Sequence, residues 1–249
     1  MGYLILAVRF LTIVPVPGRE AAGEGALGRS AWWFPAVGLA LGACLVAADH
    51  LLAIAFPPLL AAILLVSLWK VLTGGIHLDG LADVLDGLAG GDPERRIAIM
   101  RDGRVGVFGA AGLVLCVLIA TGALDALPAG RHVAVLLLAP AVGRLAPVVI
   151  GPLFPAATAG EGVGAAFLEG LSPWAAPVWV AGAWTLAGAL FGPWGGLLLS
   201  LGLASALVWA VWLARRLGGL TGDVLGSAVE LGELATLVAA AGLMHLRVL

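Results

Sequence analysis

Long apolar runs constrain this chain more than any other feature of its sequence. A helix needs about 20 apolar residues to cross the hydrocarbon core of a bilayer, which is about 30 Å thick. Runs of roughly this length lie at about 31–56, 57–74, 105–127, 133–153, 174–192, 194–214 and 231–248. Backbone polar groups inside lipid must be satisfied within the chain, so such runs predict helices. We therefore expect an all-α, polytopic integral membrane helical bundle of about seven transmembrane helices.

The composition supports the same class of protein. Of the 249 residues, 61% are hydrophobic and 11% are charged, whereas a soluble domain carries about 25% charged residues. The mean hydropathy of +1.09 indicates a surface that faces membrane lipid. A net charge of −2 provides no basic excess for binding nucleic acid. The length predicts a single transmembrane domain over residues 1–249, and it leaves open a homo-oligomer.

The stretch 3–17 is apolar but too short to be read as a span. Arg9 interrupts it, and it ends in Pro15 and Pro17. It therefore predicts a short N-terminal interfacial or re-entrant helix. No basic region precedes it and no small-residue cleavage site follows, so we expect it to be retained and not to act as a signal peptide.

The arginines predict the orientation of the bundle. Alternating spans place the loops 18–30, 75–104, 154–173 and 215–230 on one side. These loops hold Arg19, Arg29, Arg95, Arg96, Arg101, Arg104, Arg215 and Arg216. The other side holds only Arg131 and Arg247. Because cytoplasmic loops carry an excess of basic residues, we expect a multi-pass protein of the bacterial inner membrane with these four loops in the cytoplasm.

Three carboxylates stand close together in the loop 75–104. Asp79, Asp83 and Asp86 are spaced i, i+4 and i+7, which places them on one face of a helix. Unpaired carboxylates beside a membrane repel one another and are costly to desolvate. Mg²⁺ would relieve both costs, since it takes oxygen ligands and bridges carboxylates to substrate phosphates. The alternative is a solvated acidic face, which the apolar residues between the acids disfavour.

Four arginines follow within ten residues of one another. Arg101 and Arg104 flank Asp102, and the planar guanidinium of arginine suits phosphate oxygens. We expect these two to contact a ligand. Arg95 and Arg96 are more typical of membrane anchoring on the cytoplasmic side.

A third group of polar residues enters the last apolar run. Asp223 and Glu230 are seven residues apart, and Glu233 lies one turn further. Acids within a membrane span indicate function by default. Arg144 lies in the middle of another run and needs an anionic partner, which is either one of these acids or a substrate phosphate. His77 is a ligand, a base or a helix-entry residue, and the spacing leaves these open.

These motifs resemble those of the cobalamin synthase family. The acidic segment 75–87 reads GIHLDGLADVLDG, and it is similar to the acidic signature of that family. Further segments resembling the family are RFLTIVPVP at 9–17, WFPAVG at 33–38, MRD at 100–102, GVFG at 106–109 and TGDVLG at 221–226, with Glu230 beyond. The resemblance covers nearly the whole chain and is weakest at 154–173, onto which we carry no role.

The resemblance implies a magnesium-dependent phosphotransferase. Adenosylcobinamide-GDP and α-ribazole, or its 5′-phosphate, would give adenosylcobalamin, or its 5′-phosphate, with release of GMP. Asp79, Asp83 and Asp86 would hold Mg²⁺ on the diphosphate. Further catalytic roles are expected for Asp86, Asp102, Asp223 and Glu230, and substrate contacts for His77, Arg101, Arg104, Arg144 and Thr221.

Two other functions stay open at this point. The acid-rich helix also resembles, more distantly, that of the CDP-alcohol phosphotransferases, although no Ala-Arg pair follows Asp79 and Gly80. An ion-coupled transporter could use the acids as a cation path. Clustering of the acids and arginines on one side argues against a transporter, because transporter sites lie near the bilayer midplane.

Overall fold

The computed structural model describes residues 1–158, 160 and 162–247. Within these residues the chain is helical, and the one β-type contact is an isolated bridge between Ala156 and Leu220. The helices are α1 Gly2–Leu11, α2 Ala26–Ser30, α3 Phe34–Ala55, α4 Pro58–Leu72, α5 Ile76–Gly87, α6 Pro93–Met100, α7 Val107–Asp125, α8 Ala129–Ile150, α9 Gly162–Leu168, α10 Ala175–Phe191, α11 Gly195–Leu217 and α12 Gly222–His245. This confirms the all-α class.

Five helical runs in the described part of the chain are long and apolar enough to cross a membrane, or six if α4 and α5 together count as one. This supports a polytopic bundle but does not confirm the predicted count of seven. One of the five is the 43-residue run Ala175–Leu217. It contains both α10 and α11, which separate at Gly192, where φ is 60° and ψ is −139°. The predicted spans 174–192 and 194–214 correspond to these two helices.

Helix α8 lies in the centre of the bundle, and most of its residues are buried. Helix α3 crosses it through Gly38 and Gly42. A Cβ atom at Gly38 would lie 2.5 Å from the carbonyl oxygen of Pro140, and one at Gly42 would collide with that of Leu136. Small residues allow transmembrane helices to approach this closely. Gly38 and Gly42 therefore allow α3 to pack closely against α8.

Helices α4 and α5 meet at 89°. The corner consists of Gly74 and Gly75, with φ of 63° and 69°. Other residues adopt this left-handed conformation at a cost of roughly 1–2 kcal/mol each. Helix α5 has only 12 residues and lies outside the five runs that qualify as spans by themselves. Helix α5 belongs to the predicted loop 75–104, and the place of this loop outside the membrane stays a prediction.

The N-terminal segment forms the short apolar helix α1 and then folds back along it. Arg9 donates to the carbonyl oxygens of Val16 at 2.9 Å and Gly18 at 3.1 Å. It also pairs with Glu20 at 3.0 Å. The residue that interrupts the apolar stretch thus holds the turn that follows α1, and the position of α1 relative to the membrane stays a prediction.

The four loops predicted to share one side meet at one end of the bundle. Arg96 donates to the carbonyl oxygen of Arg216 at 3.1 Å. The N–H of Leu220 donates to the carbonyl oxygen of Pro155 at 2.8 Å. Helix α2 packs against α9. At the opposite end, the helices are joined by the short connections 56–57, 126–128 and 192–194.

Candidate active site

The acids of α5 lie beside the first turn of α12. A Cβ atom at Gly80 would be 3.0 Å from both the Cα atom and the carbonyl oxygen of Asp223. Only a glycine therefore allows α5 to approach α12 this closely without a shift. The contact brings Asp223 to the same place as Asp79 and Asp83, although the sequence separates them by more than 130 residues.

The carboxyl groups at this contact repel one another. Burial, together with the charges of Asp79, Asp223 and Asp86, raises the pKa of Asp83 from 3.8 to about 6. Asp83 is half-buried, whereas Asp79 is exposed. A cation or a bound proton would relieve this repulsion. The predicted acidic group therefore exists as a cluster, with Asp223 as a fourth member.

Asp86 has a different set of partners from the other acids of α5. Its carboxylate accepts the N–H of Gly106 at 2.7 Å and the N–H of Gly109 at 2.8 Å. These groups belong to the first turn of α7, where backbone N–H groups have no partner within the helix. Asp86 thus caps α7 from a neighbouring helix. Its predicted metal and catalytic roles stay predictions, and both would compete with these two bonds.

The carboxylates fit an open metal site and not a closed one. Among the described residues, no group of three His, Cys, Asp or Glu side chains could hold a metal ion by itself. Mg²⁺ commonly takes only one or two protein carboxylates, and completes its shell with waters and substrate phosphates. Asp79 and Asp83, one turn apart and next to Asp223, fit that pattern. The magnesium ion itself stays a prediction.

Asp102 and Arg104 pair with each other outside this cluster. Arg104 donates to Asp102 through Nη2 at 2.5 Å and through Nε at 2.9 Å. A hydrogen bond from Arg104 lowers the pKa of Asp102, and the same bond raises the pKa of Arg104. Both side chains are exposed, with 41% and 88% of their surface accessible. The catalytic role of Asp102 and the substrate contact of Arg104 stay predictions.

Arg101 and Thr221 lie on the other side of Asp223. All three residues line a cavity of about 190 Å³ between α6, α9 and the start of α12. The Thr221 hydroxyl accepts the N–H of Val224 at 3.1 Å and so caps α12. Thr158 and Val163 also line this cavity. Described residues of the segment 154–173, to which the sequence assigned no role, therefore form one wall beside the acids.

Glu230 and Glu233 lie deeper in the bundle, in a network of charges. The ammonium of Lys70 lies 2.5 Å from Glu230 and 3.0 Å from Glu233. The guanidinium of Arg144 pairs with Glu233 through Nη1, and Cys116 lies 3.7 Å from Glu230. The two cations balance the two anions. The carboxylate of Glu230 is thus already paired with Lys70, and its predicted catalytic role stays a prediction.

Lys70 is the charged residue of this network that sequence reasoning missed. It lies in the apolar run Pro58–Leu72 beside Trp69. Trp69 is buried, with 1% of its surface accessible. Charge balance could have revealed Lys70, because two acids and one arginine inside apolar runs leave one negative charge without a partner.

An apolar cavity of about 340 Å³ lies on the side of Asp223 that faces the bundle. Phe10, Phe34 and Phe167 are among its walls, and His77 and Arg144 line it as well. His77 is 4% exposed and Arg144 is fully buried. Within the described residues, the His77 Nδ1 atom and the Arg144 Nε and Nη2 atoms have no hydrogen-bond partner. Two predicted substrate contacts are therefore brought together here.

The chain is similar to proteins of one family over almost its whole length. The family model for cobalamin-5-phosphate synthase matches residues 3–241. A protein of Geotalea daltonii named adenosylcobinamide-GDP ribazoletransferase is 41% identical, over 95% of this chain and 97% of its own. One of the same name from Ectopseudomonas mendocina is 44% identical, over the same shares. No solved structure matches. The chain therefore belongs to the cobalamin-5-phosphate synthase family.

Proposed function

We propose that the protein is a magnesium-dependent adenosylcobinamide-GDP ribazoletransferase. It joins adenosylcobinamide-GDP to α-ribazole, or to α-ribazole 5′-phosphate, and releases GMP. The product is adenosylcobalamin or its 5′-phosphate, formed late in cobalamin assembly. The reaction takes place on the cytoplasmic side of a bacterial inner membrane.

One observation carries the proposal beyond family membership. Asp223 stands between the acids of α5 and the 340 Å³ cavity. A transfer to phosphorus needs a charged site for the diphosphate next to a site for the attacking alcohol. The carboxylates supply the first through a metal ion, and the cavity supplies the second. This arrangement supports a transferase, and the comparisons give no support to a CDP-alcohol phosphotransferase or a transporter.

The reaction balances with the residues at hand. A hydroxyl oxygen of the ribose forms a bond to the phosphorus that carries the cobinamide aminopropanol. The bond from that phosphorus to the bridging oxygen breaks, and GMP leaves with this oxygen. Asp223, at the edge of the acceptor cavity, receives the hydroxyl proton. A carboxylate with several anionic neighbours is a better proton acceptor than an isolated one.

Other residues bind and orient the diphosphate. Asp79 and Asp83 would hold Mg²⁺, which when bound neutralises charge on the phosphate oxygens. Arg101 faces the smaller cavity on the far side of Asp223, where its guanidinium would contact a phosphate of the leaving GMP. Thr158 and the start of α9 line this cavity and would limit the access of water.

The proposal is tested by following GMP release from purified protein in lipid. The substrates are adenosylcobinamide-GDP and α-ribazole 5′-phosphate, with magnesium in one arm and chelator in the other. We expect GMP and a corrinoid product in equal amounts, in the magnesium arm only. Release of GMP without a corrinoid product would show hydrolysis in place of transfer. Absence of GMP from protein that elutes as a folded species would overturn the assignment.

A further inference from the structure

We propose that the 340 Å³ cavity binds the flat, apolar base of the acceptor nucleoside and selects that base by size. The inference rests on the proposed function, and it adds which part of the acceptor the cavity holds and which residues select that part. Neither the family match nor the names of the relatives assign a role to this cavity.

The size and lining of the cavity suit a heterocyclic base. Small-molecule sites have volumes of about 300–1,000 Å³ and mostly apolar walls, so 340 Å³ holds a nucleoside and excludes a corrinoid. Phe10, Phe34 and Phe167 pack on one another along one wall, and Leu225 and Val229 of α12 complete the lining. Aromatic side chains pack well against a flat ring. The corrinoid must therefore bind elsewhere.

The polar groups of the cavity favour a neutral ligand over a charged one. Arg144 presents Nε and Nη2 without partners, and a buried unpaired donor is costly unless a ligand satisfies it. The charge of Arg144 is already balanced, because Lys70 and Arg144 face Glu230 and Glu233. Arg9 also lines the cavity, but it pairs with Glu20 at 3.0 Å, so a second anion such as a phosphate would meet no unbalanced positive charge. A ring nitrogen of the base accepts a hydrogen bond and adds no charge.

The position of the cavity places the ribose correctly. Asp223 and Gly226 line the cavity on α12, and both lie against Gly80 of the acid helix. A base inside the cavity leaves the attached ribose at this edge, beside the carboxylates.

The test compares one substitution at two positions of α12. Val229 lines the cavity and is 2% exposed, whereas Val238 faces outward and is 44% exposed. Val229→Phe fills the cavity, and Val238→Phe is the matched control. Each variant is assayed in lipid with α-ribazole, whose base carries two methyl groups, and with the nucleoside of unsubstituted benzimidazole. The KM for adenosylcobinamide-GDP is measured in parallel.

We expect Val229→Phe to raise the KM for α-ribazole roughly tenfold or more, since one or two carbon atoms in an apolar pocket change selectivity by this order. The KM for the smaller nucleoside should rise less, so the ratio of the two kcat/KM values should shift in favour of the smaller nucleoside. The KM for adenosylcobinamide-GDP should stay within about twofold, and Val238→Phe should match the wild type.

A second variant covers the case in which Val229→Phe does not fold. Leu225→Ala enlarges the cavity, and it should improve the use of a nucleoside with a bulkier base relative to α-ribazole. If the wild type is active and both variants fold with unchanged selectivity, this inference is overturned and the proposed function is kept. A change confined to the KM for adenosylcobinamide-GDP would assign the cavity to the other substrate. An inactive wild type would instead remove the proposed function.

Discussion

The ammonium of Lys70 lies 2.5 Å from a carboxylate oxygen of Glu230, although 160 residues separate the two in sequence. Only 11% of the Lys70 side chain and 2% of the Glu230 side chain are accessible. Glu233 and Arg144 complete the group, so four charges from α4, α8 and α12 cancel inside the bundle. This network of four charges therefore holds three helices together.

Replacing Lys70 alone should be far more harmful than replacing it together with its partner. Removal of one member of a buried pair costs about 3–5 kcal/mol, because the other charge stays buried without compensation. We expect Lys70→Met to lower the thermal unfolding midpoint in detergent strongly, and Lys70→Met with Glu230→Gln to recover most of the loss. Arg144 and Glu233 still balance in the double variant. A double variant no more stable than the single one would contradict this role.

Substitution of Gly80 should reduce turnover without unfolding the protein. An alanine there would place its Cβ atom 3.0 Å from the backbone of Asp223, which must then move. Alanine also favours the helix by about 1 kcal/mol relative to glycine, so the unfolding midpoint should change little. We expect kcat to fall roughly tenfold or more, because small displacements of reacting groups are costly.

Gly91→Ala is the matched control for this change. A Cβ atom at Gly91 would meet no atom within 4 Å. Turnover of this variant should equal that of the wild type. Equal turnover in the Gly80 and Gly91 variants would mean that the close approach of α5 and α12 does not position the acids.

Two acids of α5 should respond differently to mutation. Asp83→Asn removes a proposed Mg²⁺ ligand, so synthesis should be lost. It also removes one of the mutually repelling carboxylates, so the unfolding midpoint should be kept. Asp86→Ala removes the acceptor for Gly106 and Gly109, and it should destabilise the protein by about 0.5–2 kcal/mol. Thermal unfolding and GMP release are measured on both variants. An inactive Asp86→Ala protein of normal stability would favour the predicted catalytic or metal role over the capping role.

The orientation of the loops can be tested with cysteine labelling. The native Cys44 is exposed on the bundle, so it is first replaced by serine. Ala166→Cys lies in the segment 154–173, and Ala126→Cys lies in a connection at the opposite end. A membrane-impermeant maleimide applied to intact spheroplasts should label the cysteine at 126 and spare the one at 166. Labelling of position 166 from outside would reverse the topology.

The sequence predicted the acidic residues but not which of them form one site. Asp79 and Asp83 lie together, as their helical spacing predicts, and the contact between α5 and α12 adds Asp223 to them. Asp86 shares their helical face, yet it points to backbone donors of α7 that only the tertiary fold reveals. Asp223 and Glu230 share a face of α12, but seven residues separate them by about 10 Å along the helix. Periodicity therefore identifies a face, and it does not show how far one site extends along it.

The sequence also could not show the cavity. Its walls come from α1, α3, α5, α8, α9 and α12, and most of them are ordinary apolar residues with no individual signal. The unpartnered nitrogen atoms of His77 and Arg144 become visible only when every neighbour is placed. In the same way, only the fold shows that the segment 154–173 lies beside Asp223.

The long loops of the bundle all meet at one end, while connections of two or three residues close the other. The proposed active site lies at the end with the long loops. Both proposed substrates would therefore arrive from one compartment, and both products would return to it. The proposed reaction is thus scalar and not vectorial. The bilayer would serve to hold the enzyme at a surface, and activity should persist in detergent micelles that separate no compartments.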